Sequence, residues 1–78
     1  MWKKVNQLKF NYSKLRGKIK EVFETQKAFA KAMNVSAVSL SAKLNNQVSF
    51  KQAEINKACE LLGIDKEFIP LYFFYTES

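Results

Sequence analysis

Side chains that can hydrogen-bond to phosphates or base edges are concentrated between residues 25 and 51 of this 78-residue chain. Hydroxyl, amide and amine groups alternate there with small apolar residues. The residues of this stretch that are candidates for such contacts are Thr25, Gln26, Ser39, Ser41, Lys43, Asn45, Asn46, Gln47 and Lys51. Such groups contact phosphates and the base edges exposed in the grooves of DNA. The chemistry that they predict is non-covalent recognition of double-stranded DNA.

Catalytic chemistry has little support in the composition. The chain has no histidine, which removes the commonest general base and the commonest zinc ligand. Its single cysteine, Cys59, excludes an intramolecular disulfide and any multi-cysteine metal site. We therefore expect a protein that is not an enzyme, with no cofactor, no metal and no small-molecule ligand.

Positive charge lies in the same part of the chain as these polar side chains. The net charge is +6, but residues 1–51 hold eleven Lys/Arg against two acidic residues, whereas residues 52–78 hold two against five. The first part is thus +9 and the second −3, so the second part would face away from DNA. No apolar run approaches the roughly 20 residues of a membrane span, and the N-terminus lacks a signal-peptide core. A cytoplasmic, nucleoid-associated location without membrane contact is expected.

Two short helices are predicted to position the polar side chains. Phe29, Ala30 and Met33 form one apolar face, which predicts a helix from Gln26 to Met33. Leu40 and Leu44 repeat at i, i+4, which predicts a second helix from Ala37 to Leu44.

The residues between these helices suit a tight corner. Asn34 accepts the left-handed conformation better than most residues with a side chain. Ser36 and Thr25 are the predicted N-caps of the second and the first of these helices. Two helices joined by so short a turn form a helix-turn-helix unit.

Three further helices are predicted around this unit. Ser13 is the predicted N-cap of a helix that runs from 14 to 23. Ser49 would begin another, with Gln52 completing a capping box, and Gly63 would end it. Asp65 would cap a fifth helix from Lys66 to about Ile69. Pro70 would then lie in an irregular turn or begin an extended aromatic tail.

The chain is predicted to form one domain at 13–78, preceded by an arm at 1–12. Apolar and basic residues alternate in the arm, which fits a short strand or a helical turn. The arm would either reach toward phosphates or dock its aromatic side chains on the core.

The central motif resembles that of the phage repressor and Cro-like helix-turn-helix family. The residues that match the pattern of that family are Gln26, Ala30, Asn34, Val35, Ser36 and Leu40. The family most often has Gly where Asn34 stands. The wider stretch from about 10 to 74 is similar to small phage-type regulators of low-GC Gram-positive bacteria. The resemblance implies an all-α, five-helix, lambda-repressor-like DNA-binding domain with a central helix-turn-helix and an aromatic C-terminal tail.

The resemblance, the register of the second helix and the affinity of helix N-termini for anions together predict roles for individual residues. The second helix of the unit would lie in the major groove, with Leu40 and Leu44 toward the core. The side chains predicted to face or flank the bases are Ala37, Val38, Ser39, Ser41, Ala42 and Lys43. Alanine and valine can only touch a thymine methyl, so a thymine-containing half-site is expected. The predicted phosphate contacts are Thr25, Gln26, Asn45, Asn46, Gln47 and Lys51.

A single helix-turn-helix reads few base pairs, so a homodimer on a palindromic operator is expected. The apolar tail supplies the predicted dimer interface, formed by Phe68, Leu71, Tyr72, Phe73, Phe74 and Tyr75. The favoured function is a sequence-specific transcriptional regulator, a phage or prophage repressor of the Cro type. The alternative is a protein-interaction or antitoxin-like partner module that keeps the helix-turn-helix fold.

Overall fold

Five α-helices and one short 3-10 turn make up the computed structural model, which describes residues 9–76. The helices are α1 (Ser13–Phe23), α2 (Gln26–Met33), α3 (Ala37–Leu44), α4 (Gln52–Leu62) and α5 (Ile69–Phe73), and the 3-10 turn is Lys66–Phe68. Residues 9–76 contain no strand. The predicted all-α, five-helix architecture is therefore confirmed. Within the described range, no helix is both long enough and apolar enough to cross a membrane.

One core contains apolar side chains from every α-helix. Its largest fully buried members are Leu15, Ile19, Phe29, Leu40 and Phe73. Each such side chain contributes roughly 1.5–3 kcal/mol of transfer free energy. Helices α1, α4 and α5 contact one another, and α2 joins the α2–α3 unit to α1 and α4.

The corner between α2 and α3 has the predicted geometry. Asn34 is left-handed at φ 64°, and its backbone N–H donates to the Ala30 and Lys31 carbonyls. The Thr25 Oγ1 accepts from the Ala28 N–H, and the Ser36 Oγ accepts from the Ser39 N–H, both at 3.0 Å. Both predicted N-caps are thus confirmed, and the bounds of α2 and α3 agree with the sequence prediction.

The predicted caps at Ser13 and Ser49 are wrong. Ser13 is the first residue of α1, and Tyr12 holds the N-cap position without a side-chain hydrogen bond. Helix α4 begins at Gln52 rather than near Ser49. The Glu54 Oε1 accepts from the Lys51 N–H at 2.9 Å and so satisfies a backbone donor at the start of α4.

The C-terminal segment also differs from the prediction. The fifth helix, predicted at Lys66 to Ile69, is a 3-10 turn followed by α5, and the Asp65 side chain makes no cap hydrogen bond. Pro70 lies in the first turn of α5, where its missing N–H costs nothing. The predicted irregular turn or extended tail at Pro70 is thus replaced by helix.

Aromatic side chains at the start of the described chain pack against the core. Tyr12 is buried, and its ring meets that of Phe50 edge to face at a centroid distance of 5.5 Å. Phe10 packs in the same manner on Phe74 at 5.6 Å. These two aromatics therefore dock on the core, whereas predictions for residues 1–8 lie outside the described residues.

Candidate binding face of the helix-turn-helix

The outward side of α3 is small and apolar at its centre. Val38 is 80% exposed, and Ala37 beside it is also exposed. Ser39, Ser41 and Ala42 are half-buried around them. Because Leu40 and Leu44 occupy the core side of the helix, this opposite face points away from the core that residues 9–76 form. We call these five residues, 37–39, 41 and 42, the α3 face.

Lys43 is absent from that face. The sequence predicted that it flanks the solvent side, and this is wrong, because the residue is only 7% exposed. Its Nζ lies 3.5 Å from the Glu54 Oε2 and donates to the Ser39 Oγ at 3.3 Å. The positive charge of α3 is therefore held between α3 and α4.

Arg16 of α1 hydrogen-bonds to residues at the start of α2 and at the end of α3. Its Nη1 donates to the Gln26 Oε1 at 2.8 Å, and its Nη2 donates to the Asn45 Oδ1 at 2.9 Å. The same Nη2 also reaches the Leu44 carbonyl at 3.2 Å, where the C-terminus of α3 favours a positive charge. Arg16 thus brings together two predicted phosphate contacts, Gln26 and Asn45.

The sequence prediction did not assign this role to Arg16. The one sequence feature that could have indicated it is an arginine in the helix that precedes the helix-turn-helix motif. Spacing along one helix does not reveal a contact with side chains 10 and 29 residues away.

The side chain of Asn46, another predicted phosphate contact, is engaged within the fold. It is left-handed at φ 65° and uses its side-chain amide on the backbone of Phe10. Thr25, Gln47 and Lys51 are exposed, so their side chains can reach a ligand. Oε1 of Gln26 is engaged by Arg16, which leaves its amide Nε2 to donate outward.

The aromatic tail divides into buried and exposed members. Phe73 is 1% exposed and belongs to the core, so its predicted place in a dimer interface is wrong. Tyr72 is half-buried against the same core. The side chains that remain exposed, each by 38–48%, are Phe68, Leu71, Phe74 and Tyr75.

Comparison with known proteins places this chain in a family. Residues 8–76 match the family described as Protein of unknown function (DUF739), and the chain belongs to that family. No curated protein matches it. Among solved structures, the chain is similar to the modulator of repression (MOR) of the temperate bacteriophage TP901-1 from Lactococcus lactis. The two are 46% identical with a TM-score of 0.76, over 83% of this chain and 88% of that one.

Proposed function

We propose that this protein regulates phage repression by binding a protein of the repression machinery with the α3 face. The regulatory part is supported by the similar lactococcal phage protein, which is named a modulator of repression. The choice of a protein partner rests on one observation. The α3 face has Val38 at its centre, 80% exposed, while Lys43 is buried against Glu54.

Base reading and protein binding require different side chains on such a helix. Strong base discrimination comes from bidentate contacts by Arg, Lys, Asn or Gln, and the α3 face offers none of these. Its hydroxyls, on Ser39 and Ser41, already accept hydrogen bonds from Lys43 and Asn45. Small and apolar side chains allow a partner backbone to approach closely and desolvate the contact.

The experiment measures occupancy of TP901-1 operator DNA by the TP901-1 repressor, with and without this protein. We expect the protein to change occupancy and Val38→Glu to abolish the effect. Lys57→Glu is the matched control, because it also introduces a glutamate at an exposed helical position but lies on α4, outside the α3 face. That variant is expected to retain the effect. No change in occupancy with folded wild-type protein contradicts the proposal.

Sequence-specific DNA binding as a Cro-type dimer is the second candidate. It is favoured by the charge of +9 on residues 1–51 and by the Gln26 Nε2 at the N-terminus of α2, which is available for a phosphate. The operator would be a palindrome with thymine in its half-sites. Enrichment of such a palindrome from a random duplex library supports this candidate over the first.

The dimer in that candidate would use the exposed tail residues. Truncation after Ile69 would remove Phe73 from the core, so point substitutions are the cleaner test. Leu71→Asp with Phe74→Lys is expected to convert a dimer to a monomer in sedimentation. A wild-type chain that sediments as a monomer at high concentration rules out this interface.

A further inference from the structure

The ion pair between Lys43 and Glu54 joins the C-terminal half of α3 to the first turn of α4. Its two charged side chains are 9% and 21% exposed. The Glu54 Oε2 lies 3.5 Å from the Lys43 Nζ, while its Oε1 accepts from the Lys51 N–H at 2.9 Å. Glu54 is thus fixed by its own helix in the position that receives the lysine.

Ser39 completes the arrangement on the α3 side. Its Oγ accepts from the Lys43 Nζ at 3.3 Å, one helical turn away. Because i and i+4 residues lie one above the other, Ser39 and Lys43 form the edge of α3 that faces α4. Ser39 is half-buried and is itself a member of the α3 face, so the Lys43 ammonium lies beneath the edge of that face.

We infer that Glu54 is a specificity-determining residue, which holds Lys43 off the α3 face and keeps that face uncharged. The inference rests on the proposed function in that it takes the α3 face as the working surface. It assigns to Glu54 the selection between partner classes: an uncharged face accepts an apolar protein surface, and a face with lysine attracts a polyanion.

Loss of the Glu54 charge would move the lysine. An ammonium left buried without a carboxylate is costly, so the side chain turns to water instead. Its flexible four-carbon stem allows the side chain to turn outward past Ser39 and place the charge on the solvent side of the α3 face. There the lysine can contact a phosphate of any duplex, because phosphate contacts carry no sequence information.

The test measures binding of the full chain to random-sequence duplex DNA as salt is varied. Glu54→Gln keeps an oxygen for the Lys51 N–H and removes the charge that holds Lys43. Glu60→Gln is the matched control, because it removes an equal charge from an exposed site on the same helix. We expect the salt slope of Glu54→Gln to steepen by about 0.9, which is roughly a 3.5-fold larger loss of affinity between about 50 and 200 mM salt. Glu60→Gln should not steepen it.

The double variant Glu54→Gln with Lys43→Met should return the slope to the value of the wild-type protein. Lys43→Met alone should change DNA binding no more than Lys57→Met, which removes an exposed α4 lysine. The comparison of Lys43→Met with Lys57→Met still tests the inference if Glu54→Gln does not fold. Equal slopes for the two glutamate variants, or loss of DNA binding with Lys43→Met alone, overturn the inference. Failure of the proposed function would appear separately, as selection of a palindrome by the wild-type protein.

Discussion

The side chain of Asn46 makes two hydrogen bonds with the backbone of Phe10. Its Oδ1 accepts from the Phe10 N–H and its Nδ2 donates to the Phe10 carbonyl, each at 2.9 Å. The Asn11 N–H next to it donates to the Tyr75 carbonyl at 2.7 Å. The loop after α3 is therefore tied to the beginning of the described chain, and that segment is tied to the C-terminal tail.

Asn46→Gly is expected to lower the free energy of unfolding by about 1–2 kcal/mol, since two partly buried hydrogen bonds are lost. Glycine accepts the left-handed backbone, so strain is not a contributor. Asn34→Gly is the control, because Asn34 is also left-handed and its side chain makes no hydrogen bond within residues 9–76. Urea unfolding of both variants measures the difference. Equal free energies would show that the Phe10 contact contributes nothing.

Arg16→Met is expected to destabilise the domain by about 1 kcal/mol, a value reduced by the exposure of Arg16. Its hydrogen bonds to Gln26, Leu44 and Asn45 would all be lost. Hydrogen exchange should then quicken at the C-terminal end of α3. Lys14→Met on the same helix is the control, since Lys14 is exposed. Unchanged exchange in the Arg16 variant would mean that the three bonds do not hold α3.

Gly17→Ala is expected to raise stability by about 0.5–1 kcal/mol, because alanine is the better helix former. A Cβ at Gly17 meets no atom within 4 Å, so the gain is not offset by a clash. Gly63→Ala should do the opposite, since its φ of +70° is strained for any side chain. Thermal unfolding of the two variants measures both effects. A lower melting temperature for Gly17→Ala would contradict the prediction, because it would mean that the added methyl group clashes with a neighbour.

Stability is expected to fall at alkaline pH. Burial raises the pKa of the Cys59 thiol above its ordinary value of 9.0. The unfolded thiol therefore loses its proton first, so the free energy of unfolding declines as pH rises above about 9 and through the folded pKa. Burial likewise raises the pKa of Tyr12 above 10.0, which extends the decline. In Cys59→Ala, the part of the decline that begins near pH 9 should be absent. A slope identical to that of the wild-type chain would exclude the thiol as its source.

Local signals predicted the helix-turn-helix well. Each of the hydrogen bonds at Thr25, Asn34 and Ser36 joins two residues that are at most four positions apart in the sequence. Local spacing was therefore enough to predict both caps and the corner. Ser13 and Ser49 failed as caps although they are of a preferred residue type. Glu54 replaced the predicted capping partner by reaching back three residues to the Lys51 N–H.

Long-range contacts account for the residues that the sequence misplaced. Lys43 was expected to flank the solvent side because Leu40 and Leu44 define the core side of α3, and only the packing of α4 reveals the carboxylate that receives the lysine. Phe73 and Phe74 look alike in sequence, yet one is 1% and the other 48% exposed. The helical turn through Pro70 decides which of them meets the core.

The most direct test of the account is an amide NMR titration of the labelled protein with the TP901-1 repressor and, separately, with random duplex DNA. The proposal predicts that the repressor changes the amide chemical shifts of the α3 face, centred on Ala37, Val38 and Ala42. Val38→Glu should prevent these changes, while the spectrum of that variant remains that of a folded protein. Shifts produced only by DNA, at Thr25, Gln26 and Lys51, would contradict it.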